Sequence, residues 1–306
     1  MVRIVGILAG AVFVFVLVLA ALAPREDVPV DPTEEFHAHA HAPEGGWSWD
    51  GPLGLGVFGG YDNQQLQRGF KVFREVCSAC HSLRYVSFRN LEGIGFSEAE
   101  VKVIAEEWPL EVAATNPDTG EATTEPAIPA DRFPLVYPNE IAARAANNNA
   151  APPDLSLMAK ARADGANYIY SLMSGYQPVP ADFPEDRVQE SLHYNPYFHS
   201  LWIAMPPQLS DGLVTYDDGT EATTEQMAAD VAAFLHWTAE PKMVERKTAG
   251  IGVLIFLLLF TSLSYVAYKR VWADVKASKV GGPGTRGGRA DKGIHADAPG
   301  EGDHEA

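Results

Sequence analysis

Two cysteines are all this chain has, and they stand three apart at Cys77 and Cys80 with His81 directly after the second. A C-x-x-C-H run constrains a fold strongly, because it is the signature of covalent attachment to a haem. Each thiol adds to one vinyl group of the porphyrin, helical spacing brings both sulfurs to one edge of the macrocycle, and the histidine lies under the iron as proximal ligand. A zinc ribbon needs a second pair of soft ligands, and none exists. A thioredoxin-type C-x-x-C has no use for His81 and follows a strand in a βαβ unit, which is not the pattern here. The stretch therefore predicts one covalent haem c, bound through Cys77, Cys80 and His81.

Two apolar segments bracket the rest. Residues 4 to 23 are uninterrupted apolar and follow Arg3, so residues 1–23 read as a signal peptide or an N-terminal anchor. Ala21 and Ala23 suit a signal peptidase, whereas Pro24 does not. Residues 249–267 form a second run without charges, ended by Tyr268-Lys269-Arg270. At about 1.5 Å per residue this run nearly matches the hydrocarbon thickness, and its basic flank marks the cytoplasmic side. The expected order is a flexible linker at 24–46, a periplasmic haem domain at 47–247, a transmembrane helix at 249–267 and a cytoplasmic tail at 268–306, disordered after Val280.

Charge is concentrated in the middle. Residues 24 to 247 carry 34 acidic and 15 basic side chains, a net of −19, whereas residues 269 to 306 carry 6 acidic and 7 basic, a net of +1. Such a surface repels nucleic acid and anionic lipid; it can steer a basic protein partner, or serve solubility alone.

Between the apolar ends the pattern is mainly helical. His37, His39 and His41 alternate within the linker, where no carboxylate or cysteine fixes them as metal ligands, and the aromatic, glycine-rich run Trp47 to Tyr61 reads as irregular structure packed on the domain. Asp62 with Gln65 opens a helix that carries into the haem motif, with Leu66, Phe70 and Phe73 on one face and Gly69 giving a second backbone room to approach. Ser97-Glu98-Ala99-Glu100 caps another helix, which ends before Pro109. Residues 109 to 138 hold six prolines and read as a long loop insertion over the haem edge or on a partner. Short helices are expected at 140–146, 155–162 and 166–174, Gly175 closing the last. A loop then runs from Gln177 to Leu209. Tyr216-Asp217-Asp218-Gly219 reads as a turn, and Thr223-Thr224-Glu225-Gln226 opens a final helix with Met227, Val231, Phe234 and Leu235 on one face.

A haem with one histidine needs either a sixth ligand or an open position, which separates an electron carrier from an enzyme such as a peroxidase. Met158, Met173 and Met227 fall in helical patterns suited to core packing. Met205 lies in the loop Ile203-Ala204-Met205-Pro206-Pro207, where two prolines stiffen the chain. His193 and His199 are rivals in the same loop.

With these residues in view, residues 47 to 275 resemble the cytochrome c1 family, the haem subunit of the cytochrome bc1 complex. The resemblance rests on Gln67-Arg68-Gly69-Phe70, Arg84-Tyr85-Val86-Ser87-Phe88, Ala142 to Asn148, Pro152-Pro153-Asp154-Leu155-Ser156, Tyr194-Asn195-Pro196-Tyr197-Phe198 and Tyr216 to Thr220. It implies a class I cytochrome c-like domain, mainly α, with long loop insertions and a C-terminal transmembrane helix. The family's axial methionine falls on Met205, its propionate-contacting arginine on Arg162 and an aromatic residue near the haem on Tyr168. The resemblance also implies transfer of one electron from the Rieske iron-sulfur protein to a c-type cytochrome, beside cytochrome b in a bacterial inner membrane. One departure is Asn149, where the family has glycine; asparagine tolerates the left-handed backbone better than most residues. Some bacterial members carry an extra disulfide, for which this chain has no cysteines left.

Overall fold

Asp62 turns the chain into the first helix of the haem-motif region, its carboxylate accepting from the backbone N–H groups of Gln64 at 3.0 Å and Gln65 at 3.5 Å. In this computed structural model, which describes residues 2–23, 31–51, 54 and 56–273, the tail after Val280 lies outside the described residues. The chain divides into a unit ending at Val244 and a second beginning at Glu245.

Helix α1 (Val2–Leu22) is exposed along its whole length and is apolar enough to cross a membrane. Helix α2 (Asn63–Glu75) buries Leu66, Gly69, Phe70, Val72 and Phe73. Helix α3 (Glu98–Glu106) starts at a reciprocal Ser97–Glu100 box, as expected. Strands β1 (Val112–Thr115) and β2 (Ala122–Glu125) pair antiparallel, Val112 opposite Glu125 and Thr115 opposite Ala122. Helices α4 (Glu140–Ala146), α5 (Met158–Ala161) and α6 (Ala166–Ser174) follow. The two-residue strands β3 (His193–Tyr194) and β4 (Trp202–Ile203) then tie the ends of a loop together. Helix α7 (Thr224–Ala239) closes the core, and helix α8 (Met243–Val271) carries the second apolar run.

The core forms where α2 crosses α7, with α5 and α6 also packed on α7. A Cβ at Gly69 would lie 2.0 Å from the Asp230 carbonyl oxygen and 2.7 Å from the Phe234 Cβ, so only glycine lets the two backbones come this close. Phe73 meets the Phe234 ring at 5.8 Å, and Phe234 stacks near Trp237. Helix α7 is buried nearly all round, because Ala228, Ala229, Ala232 and Ala233 accept neighbours on the faces that Met227, Val231, Phe234 and Leu235 leave free.

Polar groups lock the same crossing. The side chain of Asp230 is fully buried and accepts from Arg68 Nε at 3.0 Å, while Arg68 also reaches Asp218 at 2.8 Å. Lys71 holds Asp217 at 2.9 Å, so α2 grips the turn before α7 at two points. Gly219, with φ of +78°, supplies the reversal. Burial pushes the Asp230 carboxyl up despite its hydrogen bonds, whereas the Thr220 N–H and then Arg68 hold Asp218 down at about 2.

Three expectations change. The helix was to carry into the haem motif, but α2 stops at Glu75 and Cys77–Ala79 is a 3₁₀ turn; the Ser78 hydroxyl donates to the Arg74 carbonyl at 2.7 Å and satisfies the helix end. Residues 109 to 138 contain the β1–β2 hairpin. Its prolines bound the paired residues rather than interrupt them, and Asn116 Oδ1 accepts from Asp118 and Thr119 in a turn completed by Gly120 at φ +74°. The stretch expected as flexible linker is docked over residues 31–46. Phe36 meets the Phe183 ring at 4.9 Å, Ala38 N–H donates to the Pro196 carbonyl at 2.9 Å, and His41 N–H donates to the Ser171 hydroxyl at 2.9 Å. One aromatic anchor and backbone hydrogen bonds suffice, although composition there is polar. Among the described residues no group of three or more metal-ligating side chains forms, the three alternating histidines included.

Two outcomes are expected. Gly69→Ala should lower the urea midpoint of the haem-bearing protein by a stability loss of about 1–3 kcal/mol from overpacking; an unchanged midpoint would mean that the backbones can part without cost. Since the Asp218 pKa is depressed in the folded state, its stabilisation is present above its ordinary value of 3.8 and is lost as pH falls through about 2. Urea midpoints taken across that window should fall more steeply for the wild type than for Asp218→Asn, and parallel curves would refute the assignment.

Candidate haem-attachment site

Immediately after α2 the chain tightens, with the N–H groups of Cys80 and His81 both donating to the Cys77 carbonyl, at 3.1 Å and 2.9 Å. Both cysteines are free, half-buried thiols on one turn. Desolvation, with Cys80 alongside, pushes the Cys77 thiol up to about 12, which favours the neutral thiol.

His81 is oriented from a distant part of the chain. Its Nδ1 lies 2.8 Å from the Pro153 carbonyl oxygen. A carbonyl only accepts, so Nδ1 carries the proton and Nε2 keeps its lone pair for a metal. Burial lowers the pKa of the ring, outweighing the Pro153 hydrogen bond and the charge of Asp154, and so favours the neutral imidazole that ligation needs.

Pro153 is itself fixed by the segment around it. Asp154 Oδ2 accepts from Arg84 N–H at 2.9 Å, Leu155 N–H donates to the Ser82 carbonyl at 2.9 Å, and Tyr85 N–H donates to the Ser156 hydroxyl at 3.1 Å. The run Pro152 to Ser156 is thus sewn to the residues that follow the haem motif. Sequence reading singled out that run only as part of a resemblance; the available physical signal was Asp154, a side chain suited to capturing backbone N–H groups. Nearby, Asn148 and Asn149 take φ of +49° and +64°, so asparagine does supply the left-handed turn where the family has glycine.

The remaining candidates lie just before α6, on it, and after β4. Arg162 is exposed and lies near the half-buried Tyr168, whose pKa burial raises and Arg162 partly lowers. The Tyr176 hydroxyl donates to the Met205 carbonyl at 2.9 Å. Of these candidates, Met205 is the one joined by a hydrogen bond to another part of the chain, through Tyr176, a residue that sequence reasoning missed. Burial raises the Tyr176 pKa, which keeps it a donor. The rival His193 is exposed on β3, and His199 is exposed against the Phe198 ring at 4.4 Å.

The turn between β3 and β4, ahead of Met205, is over-determined. Leu201 is buried at φ +63°, a left-handed conformation that costs a bulky residue about 1–3 kcal/mol. It is held there by Asn195 N–H donating to its carbonyl at 2.9 Å and by its own N–H donating to the Phe198 carbonyl at 2.8 Å. A cleft of about 510 Å³ lined by Met173, Tyr176, Leu192, Trp202 and Pro207 adjoins this loop. Its lining includes neither Cys77, Cys80, His81 nor Met205, so it is not the space the motif addresses.

A helical domain with two thiols on one turn and a neutral histidine directed by a carbonyl has the make-up of a class I c-type cytochrome, and these groups fit one covalently bound haem c. The Cytochrome C1 family matches residues 52–275. The chain is similar to cytochrome c1 of Rhodospirillum rubrum, 46% identical over 257 residues (78% of this chain, 92% of that protein), and to mitochondrial cytochrome c1-2, heme protein, of Solanum tuberosum, 46% identical over 226 residues (74% and 85%). It is also similar to the mitochondrial cytochrome b-c1 complex catalytic subunit of Candida albicans, 41% identical over 273 residues (89% and 91%). The chain belongs to the cytochrome c1 family, the haem-carrying electron-transfer subunits of the cytochrome bc1 complex. Its C-terminal apolar helix fits a membrane-anchored protein.

Proposed function

We propose that this chain receives one electron from a Rieske iron-sulfur protein and delivers it to a c-type cytochrome, working beside cytochrome b. Cys77 and Cys80 form the thioethers, His81 and Met205 are the axial ligands, Arg162 pairs with a haem propionate and Tyr168 lies at the haem edge. Haem supplies the one-electron couple. The observation that carries this reading is the Pro153 carbonyl behind His81, since it leaves Nε2 as the free ligand atom. No residue in the site has to move a proton for electron transfer; the protein's part is to hold both ligands while the charge on the metal changes.

The domain at 47–247 belongs, on this reading, to the periplasmic side of a bacterial inner membrane. Support comes from Lys269 and Arg270 in the last turn of α8, basic residues that mark the cytoplasmic end of a span and leave the tail at 268–306 on that side. Helix α1 suits either an export signal or a second anchor.

Met205→Leu should leave haem attached through both thioethers, lower the reduction potential and let carbon monoxide bind, because a thioether favours reduced iron and fills the sixth position. An unchanged potential and spectrum would remove Met205 from the site.

The acceptor's approach is where the acidic surface acts. Glu111, Asp118, Glu121 and Glu125 are exposed along the β1–β2 hairpin, with Val112 and Ala114 half-buried beneath. Stopped-flow oxidation of the reduced protein by a basic cytochrome should slow steeply as salt rises, since screening shortens the field to about 8 Å at physiological ionic strength. A flat rate would show that the charge serves solubility.

A further inference from the structure

We infer that Tyr176 is a positioning residue that determines how firmly Met205 is presented to the iron. The inference rests on Met205 as axial ligand and adds what holds it there. After β4 ends at Ile203, the chain passes through Met205 into Pro206 and Pro207, which have no N–H to anchor them. Gln208 Nε2 reaches only back to the Pro206 carbonyl, at 2.9 Å. Among the described residues, the hydrogen bond from the Tyr176 hydroxyl to the Met205 carbonyl is the one that joins residues 204–209 to the rest of the chain.

The donor end of that bond is rigid. Tyr168, Leu172 and Tyr176 are four residues apart, one face of α6 continued just past its end. The Leu172 carbonyl accepts from the buried Asn195 side chain at 2.8 Å, which pins the start of the ligand loop. Gly175 lets the loop lie flat against the helix end, for a Cβ there would meet the Tyr197 ring at 2.4 Å. One helix thus sets the register of the haem-edge aromatic, the root of the loop and Met205 together. A methionine side chain has three rotatable bonds and adapts easily, so the accuracy of its sulfur depends on where its backbone is held. Without the hydroxyl, the stretch between Ile203 and the buried Leu209 loses its one hydrogen bond to the rest of the chain, and the sulfur competes less well with an external ligand.

Imidazole titration of the ferric, haem-bearing full-length protein reads this competition directly. Tyr176→Phe should bind imidazole roughly three- to tenfold more tightly than the wild type, the range expected for loss of one net hydrogen bond, while its methionine-ligated spectrum persists without imidazole. Tyr194→Phe is the control, because that hydroxyl serves the same loop packing but donates to the Phe36 carbonyl at 3.4 Å; it should titrate as the wild type. Wild-type imidazole affinity in Tyr176→Phe, or an equal gain in Tyr194→Phe, would overturn the inference. If Met205→Leu leaves the site closed, the ligand assignment itself falls; if it opens the site while Tyr176→Phe titrates as the wild type, only the positioning role falls.

Discussion

Gly69 on α2 and the Asp230 carbonyl on α7 meet at a distance no other side chain permits, and the domain is arranged around that contact. Helix α2 delivers the haem motif at its C-terminal end, and α7 supports α5 and α6, which carry or precede Arg162 and Tyr168. Because the two backbones touch, the buried carboxylate of Asp230 is brought within reach of Arg68, the residue just before Gly69 on α2. A charge in such surroundings is tolerable only when paired, and removing Arg68 would leave it uncompensated at a cost of about 3–5 kcal/mol. The crossing is therefore specified twice, by shape at Gly69 and by charge at Arg68, and a slip of one residue along either helix would violate both.

The two flanks of the site are built by different means. On the His81 side, a run rich in proline is sewn backbone to side chain onto the residues after the motif, and its only exposed product is one carbonyl at 2.8 Å from an imidazole nitrogen. Ahead of Met205, the turn from Asn195 to Leu201 is closed by the β3–β4 pair, strained at Leu201 and braced from outside by the segment containing Phe36 and His41. Strain of this kind persists only where surrounding bonds over-determine it, and here they come from Asn195, Phe198 and the docked N-terminal stretch. That stretch is structural in consequence: it covers the aromatic cluster of Phe183, Tyr194 and Trp202 from which the ligand loop springs.

What the sequence revealed and what it hid divide by range. Caps at Asp62, Ser97 and Thr223 were legible because each is a side chain bonded to an N–H two or three residues on, a relation written in adjacent letters. The haem motif and the crossing through Gly69 were legible for the same reason, as fixed spacings and a missing side chain on an apolar face. The Arg68–Asp230 pair joins residues 162 apart, the His81–Pro153 bond spans 72 and the Tyr176–Met205 bond 29. No local pattern encodes such partners. The hairpin escaped because its strands are four residues each, and prolines around them outweigh so short an alternation. The docked stretch escaped because composition averages over its single anchoring phenylalanine.

An electron carrier must keep the same two ligands whether its iron is ferric or ferrous, and this explains why the structure spends its constraints on backbone carbonyls rather than on side chains alone. The Pro153 carbonyl fixes the His81 tautomer and ring orientation, and outer contacts of that type tune ligand basicity. The Met205 carbonyl is fixed in turn by a tyrosine whose own position is set by a helix end packed on α7. His81 is thus tied through one hydrogen bond to a run sewn onto the residues after the motif, and Met205 through one to the residue just past the end of α6, a helix packed on α7. The acidic hairpin, by contrast, carries its carboxylates on two short exposed strands.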